Sequence, residues 1–171
     1  AVLNEMREFN ENLYLCGLIT YCLLLRPHRE IRCLRFSDFN NDYTILSLGG
    51  DRVKSKRNRI LPVPQIVREE IILRAKKSAT LDLNLFSLKD KEHQEDYFKG
   101  LWTKFKKQSE SLDSKNTLYS FRHTGAINIF EKTGSLVKLQ QAMGHSDMKV
   151  SLTYLRGLEV SQMDVEDLPE L

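Results

Sequence analysis

The sequence predicts a mainly α-helical domain with a small antiparallel β-sheet, an α+β fold, and three observations support this prediction. Apolar residues recur at helical spacing along most of the 171 residues. The stretch 43–63 instead has strand-like segments on either side of a Gly-Gly-Asp turn. With 41% apolar residues, 29% charged residues and only 4 Pro and 8 Gly, the composition excludes a disordered or fibrous chain and fits one globular domain.

Two helices are predicted before the sheet. Residues 4–25 are expected to form one helix, because apolar side chains recur along its first half, at Leu3, Met6, Leu13 and Cys16. Pro27 is expected to begin a second helix, since the first turn of a helix does not need its missing N–H group. The apolar face of that helix would consist of Ile31 and Leu34.

The sheet is expected to be a hairpin or a three-stranded sheet, with strands at 43–48 and 52–63. Residues 81–88 are interpreted as a loop or weak strand. The remaining helices are predicted at 64–77, 94–108, 119–132, 136–143 and 148–155. Gly134 and Gly144 are expected to end two of them, because glycine is favoured just past a helix C-terminus.

The charges are distributed unevenly along the chain. The net charge is +3, but five of the 23 acidic residues lie in 159–171, where there is no Lys or Arg. The preceding residues therefore carry 26 basic and 18 acidic side chains. A basic body with an acidic tail fits a surface that binds a polyanion, and it also fits an ordinary solvated surface with a frayed terminus.

Several classes of protein are not supported by the sequence. The longest apolar run, 13–25, is too short to cross a bilayer, and no signal-peptide pattern precedes it. The four His and three Cys lack the close spacing of a zinc site, and Gly49-Gly50 lacks the rest of a phosphate loop. The three Cys lie among apolar neighbours, which predicts reduced, unreactive thiols.

One group of polar residues stands out in the C-terminal half. Phe121-Arg122-His123-Thr124 opens a predicted helix, and Gly144-His145-Ser146 ends another. Tyr154 follows His145 by nine residues. At 100° per residue, Tyr154 lies off the apolar stripe formed by its neighbours Met148, Leu152 and Leu155. It is therefore not an obvious core residue of its helix.

This pattern resembles the catalytic domain of the tyrosine recombinases, also called the phage-integrase family, over residues 5–158. The family shows an early Arg, a Lys on a β-hairpin, H-x-x-R-H-T, G-H-S, and a Tyr nine residues after that His. Here the matching segments are Arg26, Lys54 to Pro62, Tyr119-Ser120-Phe121-Arg122-His123-Thr124, Gly144-His145-Ser146 and Tyr154. The segment 34–39 is similar to the family's L-x-W-x-D-I.

Two departures from the family pattern affect the expected site. The family usually has Arg-x-x-Glu, whereas Arg26 and Glu30 are four residues apart, so Arg29 is an alternative to Arg26. Arg26 is favoured because it closes the 23–25 helix end just before Pro27. Tyr119 stands where the family has a His, and its hydroxyl can donate a hydrogen bond but carries no charge at pH 7.

The residue types suit reaction at a DNA phosphodiester. An anionic phosphate repels a nucleophile and gains negative charge in the transition state, so fixed cations and hydrogen-bond donors lower the barrier. By resemblance, Tyr154 is the nucleophile that forms a 3′-phosphotyrosyl bond. The other expected catalytic residues are Arg26, Lys54, Tyr119, Arg122 and His145. A Lys can protonate the departing 5′-oxygen, so Lys54 is the expected general acid. Expected DNA contacts are Lys56, Arg57, Arg59 and His123, and His123 has the alternative of a purely structural role.

The resemblance implies a site-specific DNA recombinase that needs no metal, ATP or other cofactor and integrates or excises a bacterial mobile element. Its expected partners are double-stranded DNA and further protomers in a synaptic assembly, as a tetramer on DNA. Its expected location is the bacterial cytoplasm, on DNA and not on a membrane. Three alternatives stay open: a type IB topoisomerase-like enzyme, a non-cleaving DNA-binding module of this fold, and a helical interaction module.

The expected organisation is a catalytic domain over 1–158 and an acidic and apolar tail over 159–171. The tail is expected to pack on a groove of its own chain or of a neighbouring protomer. The helical DNA-clasping domain that precedes such catalytic domains has no counterpart in the sequence, which suggests the C-terminal part of a longer integrase.

Overall fold

The structure is a computed structural model that describes residues 2–52, 56, 58–78, 80, 82–145 and 148–156, with Met148 described by its backbone only. The predicted tail, 159–171, lies outside the described residues. Within them the predicted fold class is confirmed: helices surround one two-stranded antiparallel sheet. The helices are α1 (Val2–Phe9), α2 (Glu11–Cys22), α3 (Gln65–Ala75), α4 (Tyr97–Lys106), α5 (Leu118–Thr133), α6 (Leu136–Met143) and α7 (Met148–Leu152).

The prediction of a single first helix over 4–25 is wrong, because Asn10 divides it. Asn10 has extended backbone angles, and its side-chain oxygen accepts a 3.0 Å hydrogen bond from the backbone N–H of Leu13. Asparagine is favoured at this capping position because it satisfies an N–H group that the first helical turn leaves free. The second helix, α2, is buried from Leu13 to Thr20 and forms the centre of the main core.

The segment after α2 is a single π-helical turn, Pro27–Ile31, where the sequence predicted an ordinary short helix. The N–H of Ile31 bonds the carbonyl of Arg26 at 3.0 Å, and the N–H of Arg32 bonds the carbonyl of Pro27 at 3.1 Å. These bonds span five residues instead of four, which accommodates one extra residue in the turn. Glu30, inside this turn, is buried.

The sheet consists of β1 (Ile45–Leu48) and β2 (Arg59–Pro62), paired from Ile45↔Pro62 to Leu48↔Arg59. A third strand is absent from the described residues. An isolated bridge between Phe39 and Leu46 lies beside the hairpin instead. Leu46 and Leu48 face the core. Arg59 also points inward, which places a guanidinium beneath the hairpin.

The close packing of α2 against α5 positions the C-terminal half of the fold. Gly125 on α5 lies so near α2 that a Cβ atom there would be 2.2 Å from the carbonyl oxygen of Tyr21. A second, smaller core holds Leu24, Ala126, Leu139 and Met143, with Tyr154 packed against it. No helix among the described residues is long and apolar enough to span a membrane.

Candidate active site

Four of the predicted catalytic residues converge where α2, α5, α6 and the C-terminal turn meet. Arg26 follows α2, Arg122 lies on α5, and His145 follows α6. Tyr154 lies in the 3-10 turn Thr153–Leu155 directly after α7. Their rings and charges interact across these elements, as the following contacts show. Their catalytic roles stay predictions.

Arg122 is fully buried, yet much of its hydrogen-bonding capacity is unused. Its Nη2 donates to the carbonyl of Met143 at 3.0 Å. Its Nε and Nη1 have no hydrogen-bond partner among the described residues. Burial and the charge of Arg26 lower the pKa of Arg122, and interaction with the Tyr154 hydroxyl opposes that shift. A buried cation with free donors is the arrangement that an incoming anion would complete.

Arg26 is held by Glu30 through both its backbone and its side chain. The Arg26 N–H bonds Glu30 Oε2 at 2.9 Å, and Arg26 Nη1 bonds Glu30 Oε1 at 2.7 Å. The side chain of Arg26 keeps 18% of its surface exposed, so the guanidinium remains open to a ligand. Arg29, the alternative from the sequence, is exposed and lines a different pocket with Arg32. The structure therefore supports Arg26 as the first arginine.

His145 follows Gly144, which ends α6 in the left-handed conformation with φ at 65°. The His145 N–H bonds the carbonyl of Gln140 at 3.2 Å, and its Nδ1 lies 3.0 Å from the hydroxyl oxygen of Ser151. Burial, and then the charges of Arg122, Arg26 and Arg59, lower the pKa of His145 to about 4. The ring is therefore neutral near pH 7, and it can donate or accept a hydrogen bond but supplies no charge.

Tyr154 is half-buried between two imidazole rings. Its ring centroid is 5.7 Å from that of His145 and 5.7 Å from that of His123. His123 itself is exposed on α5. The structure thus places His123, predicted as a DNA contact with a structural alternative, against the predicted nucleophile. Both roles remain predictions.

Tyr119 lies in the first turn of α5, three residues before Arg122, and 42% of its surface is exposed. Residues three apart lie on the same side of a helix, so its hydroxyl lies on the side of α5 that carries Arg122. Its ring centroid is 6.2 Å from that of His28. Tyr119 is therefore accessible to a ligand, as the predicted donor role requires.

The predicted hairpin residues divide into three groups. Lys54 and Arg57 lie outside the described residues, as does Ser146 of the Gly-His-Ser motif. Lys56 is exposed, with φ at 54°. Arg59 was expected at the DNA surface but is only 4% exposed. Its guanidinium bonds Glu30 and the backbone carbonyls of Leu23 and Ala142 instead.

Two residues of this cluster were not among the predicted site residues. Glu30 was recognised only through its spacing from Arg26, although it bonds Arg26 and Arg59. Ser151, fully buried, contacts His145 and had no signal in the sequence. The three guanidiniums of Arg26, Arg59 and Arg122 therefore share one contacting carboxylate, and the cluster carries a positive charge suited to an anion.

Other chemistry has little support in the described part of the chain. No group of three or more His, Cys, Asp or Glu side chains is placed to hold a metal ion there. Burial raises the pKa of the Cys16 thiol, and it raises that of Cys22 to about 11. These thiols are protonated near neutral pH, in a form that is a poor nucleophile.

The fold is similar to that of integrases and recombinases. The Tn1549 transposon integrase in complex with a circular intermediate DNA is 20% identical, with a TM-score of 0.65, over 90% of this chain and 57% of that chain. The XerH site-specific recombinase bound to difH substrate is 17% identical, with a TM-score of 0.69, over 91% of this chain and 47% of that chain. The catalytic domain of bacteriophage HP1 integrase is 20% identical, with a TM-score of 0.62, over 90% of this chain and 80% of that domain.

These likenesses confirm the predicted tyrosine-recombinase catalytic-domain fold. This chain spans about half to three-fifths of the transposon integrase and XerH chains. No protein-family model and no curated protein matches the sequence.

Proposed function

We propose that this chain is the catalytic domain of a site-specific DNA recombinase that cuts and rejoins DNA through a phosphotyrosine. The observation that carries the proposal is the fully buried Arg122, whose Nε and Nη1 lack partners and whose pKa responds to the Tyr154 hydroxyl. A scissile phosphate beside Tyr154 would supply the missing acceptors. The folds of the transposon integrase and of XerH, both seen in complexes with DNA, support double-stranded DNA as the substrate.

In the proposed cleavage step, the Tyr154 oxygen attacks the scissile phosphorus and the bond to the 5′-oxygen breaks. The products are a 3′-phosphotyrosyl bond and a DNA 5′-hydroxyl. The phenol loses its proton and the leaving oxygen gains one. Energy stays in the phosphotyrosyl bond, so a 5′-hydroxyl can later attack it and rejoin the strand.

The guanidiniums of Arg26 and Arg122 would bind the nonbridging phosphate oxygens. Arginine suits this role because its fork is always charged and can donate two parallel hydrogen bonds. Removal of one such donor from a site of developing charge costs about 10²- to 10³-fold in rate. Because the pKa of His145 is lowered to about 4, this ring would act as a neutral hydrogen-bond partner. Tyr119 would add a further donor.

Lys54 is proposed as the general acid for the 5′-oxygen, since guanidinium groups do not readily release a proton. Lys56 and Arg57, on the same loop, would contact neighbouring phosphates. The reaction as proposed needs no metal or ATP, because the arginines supply the positive charge and the phosphotyrosyl bond conserves the energy of the broken bond. The XerH structures in pre-cleavage and post-cleavage complexes support a DNA-cleaving role for this fold.

Recombination joins two DNA duplexes, so the proposed active form contains several protomers, a tetramer in the simplest case. The transposon integrase and the phage integrase support integration or excision of a mobile element as the biological role. The tail at 159–171 is proposed to dock on a protomer of the assembly. Because the chain spans only part of the transposon integrase and XerH chains, these assignments extend to a larger protein.

The proposed function is tested with a library of DNA duplexes that have a randomised central segment and a nick at varied positions. Cleavage close to a nick releases a short fragment, so the covalent adduct accumulates. We expect a protein–DNA adduct that resists denaturation, forms in excess EDTA and maps to the peptide containing Tyr154. Absence of any adduct, with DNA binding intact, would instead support a non-cleaving DNA-binding module.

A further inference from the structure

Arg59 lies beneath the hairpin, where it contacts two of the elements that carry the candidate site. We propose that Arg59 is a positioning residue that sets Arg26 and His145 in place for the reaction. It would act through Glu30 on the first and through the 142–144 turn on the second. This inference rests on the proposed function and deepens it.

The first link runs through Glu30. Arg59 Nη1 lies 3.3 Å from Glu30 Oε2, and the two side chains are 3% and 0% exposed. The same oxygen accepts the Arg26 N–H at 2.9 Å, while the other oxygen accepts Arg26 Nη1 at 2.7 Å. One buried carboxylate therefore orients Arg26 from one side and is held by Arg59 from another. Without Arg59, Glu30 would lose a contact that fixes its rotation.

The second link runs to the end of α6. Arg59 Nη2 donates to the carbonyl of Ala142, and the carbonyl of the next residue, Met143, accepts from Arg122. A Cβ atom at Gly144 would lie 2.7 Å from Arg59 Cδ and Nε, so the turn is packed directly on this side chain. His145 is the next residue. Two buried guanidiniums thus hold consecutive carbonyls just before it.

The geometry requires arginine in particular. The Arg59 fork reaches three acceptors on three segments: Glu30, the Ala142 carbonyl and the Leu23 carbonyl at 3.2 Å. A lysine ammonium is a compact point charge without this planar fork, so it would keep the charge and lose part of the geometry. Arg59 is also the first residue of β2, directly after the loop that carries Lys54, Lys56 and Arg57. Its seating therefore fixes the base of that loop.

The experiment compares Arg59→Met and Arg59→Lys with Arg74→Met in the same chain. Arg74 is a matched control, since it is 7% exposed and bonds Asn12 and the carbonyl of Leu85, away from the site. The first measurement is the single-turnover cleavage rate at saturating nicked DNA. A misplacement of reacting groups by about 1 Å costs on the order of 10²-fold in rate, which is the loss expected for Arg59→Met. Arg59→Lys should lose about tenfold, because charge without the fork restores only part of the geometry.

The second measurement does not depend on activity. The amides of Gly144 and His145 bond the carbonyls of Gln141 and Gln140, both at 3.2 Å. Hydrogen exchange at these two amides should speed up by about tenfold in Arg59→Met relative to Arg74→Met, because the turn opens locally. If Arg59→Met does not fold, Arg59→Lys provides both measurements.

The outcomes separate this inference from the proposed function. Cleavage by the Arg59 variants within threefold of Arg74→Met would overturn the positioning role. Full cleavage by Arg59→Lys would overturn it too, since charge alone would then suffice. If the unsubstituted chain forms no adduct, the proposed function fails. Exchange at Gly144 and His145 then decides the structural link, and unchanged exchange overturns it.

Discussion

Arg26 and Glu30 are joined twice in the structure, by the guanidinium at 2.7 Å and by the backbone N–H at 2.9 Å. The π-turn Pro27–Ile31 explains how this is possible at a spacing of four residues. The extra residue lengthens the turn and keeps the carboxylate beside the arginine. The insertion that left Arg26 and Arg29 as alternatives in the sequence is thus absorbed locally.

Replacement of Glu30 by Gln should weaken both the fold and the site. Arg26 and Arg59 would lose their shared charge partner, and removal of one member of a buried ion pair costs about 3–5 kcal/mol. The free energy of unfolding is measured with urea, and the cleavage rate at a temperature where the variant is folded. Glu70→Gln is the control, because its partner Arg7 has a side chain 56% exposed, where such pairs contribute less than about 1 kcal/mol. Equal losses in the two variants would contradict a special role for Glu30.

Elements with strong local signals were predictable from the sequence. Helix α6 begins and ends where the apolar spacing predicted, and Gly134 and Gly144 adopt the left-handed conformation. The break at Asn10 was missed because apolar spacing continues through it, although an Asn before Glu11 is itself a capping signal. The π-turn was not predictable, since hydrophobic spacing does not distinguish a five-residue hydrogen bond from a four-residue one.

The same comparison applies to the site. The motif spacing that singled out Arg122, His145 and Tyr154 was informative because helix ends bring these segments together. The burial of Arg59 was missed because a run of basic residues was interpreted as a surface. Strand alternation places Arg59 on the same side as Leu61, and that inward face was the available signal. The contact of Ser151 with His145 depends on tertiary packing and has no local signature.

Tyr154→Phe should abolish the covalent adduct and leave folding and DNA affinity unchanged. The substitution removes the attacking oxygen and keeps the ring that packs against His145 and His123. Adduct yield on nicked DNA is measured beside binding of intact DNA. Tyr21→Phe is the control, since the Tyr21 hydroxyl bonds Asn128 outside the site. Undiminished adduct from the Tyr154 variant would remove Tyr154 from the mechanism.

Replacement of Lys56 and Arg57 by Ala should flatten the salt dependence of DNA binding. Each phosphate contact contributes about 0.9 log unit of affinity per log unit of salt, so loss of both should lower the slope by nearly 2. Affinity is measured between 50 and 200 mM salt, a range of about fourfold that resolves such slopes. Lys132→Ala, at the far end of α5 from Arg122, should leave the slope unchanged. A slope equal to that of the unsubstituted chain would mean that Lys56 and Arg57 make no phosphate contact.

His145 should make the fold sensitive to acid. Its pKa is lowered to about 4 by burial and by Arg122, Arg26 and Arg59, whereas an unfolded His titrates near 6.5. Between these values the unfolded chain binds a proton that the folded chain does not. The contribution of neutral His145 to stability is therefore complete above about pH 6.5 and is lost as the pH falls toward 4. Urea unfolding from pH 7.5 to 4.5 should show a shallower decline for His145→Gln, while the exposed His123→Gln should follow the unsubstituted chain. Parallel curves for all three proteins would refute the lowered pKa.

Lys54 is predicted to protonate the departing 5′-oxygen, and a sulfur-substituted DNA tests this directly. Lys54 lies eight residues before Pro62, just past the 3-10 turn Gly50–Arg52, and is itself outside the described residues. Its alternative role is simple screening of phosphates, shared with Lys56. A DNA with sulfur at the bridging 5′ position has a leaving group that needs no proton.

Lys54→Ala should therefore cleave ordinary DNA about 10²- to 10⁴-fold more slowly than the unsubstituted chain, the range that general acid catalysis contributes. On the sulfur substrate the two proteins should cleave at similar rates. Lys56→Ala is the matched control, because loss of a phosphate contact slows both substrates equally at subsaturating DNA. A Lys54 variant that is equally impaired on both substrates would mean that Lys54 screens charge and that another group is the acid.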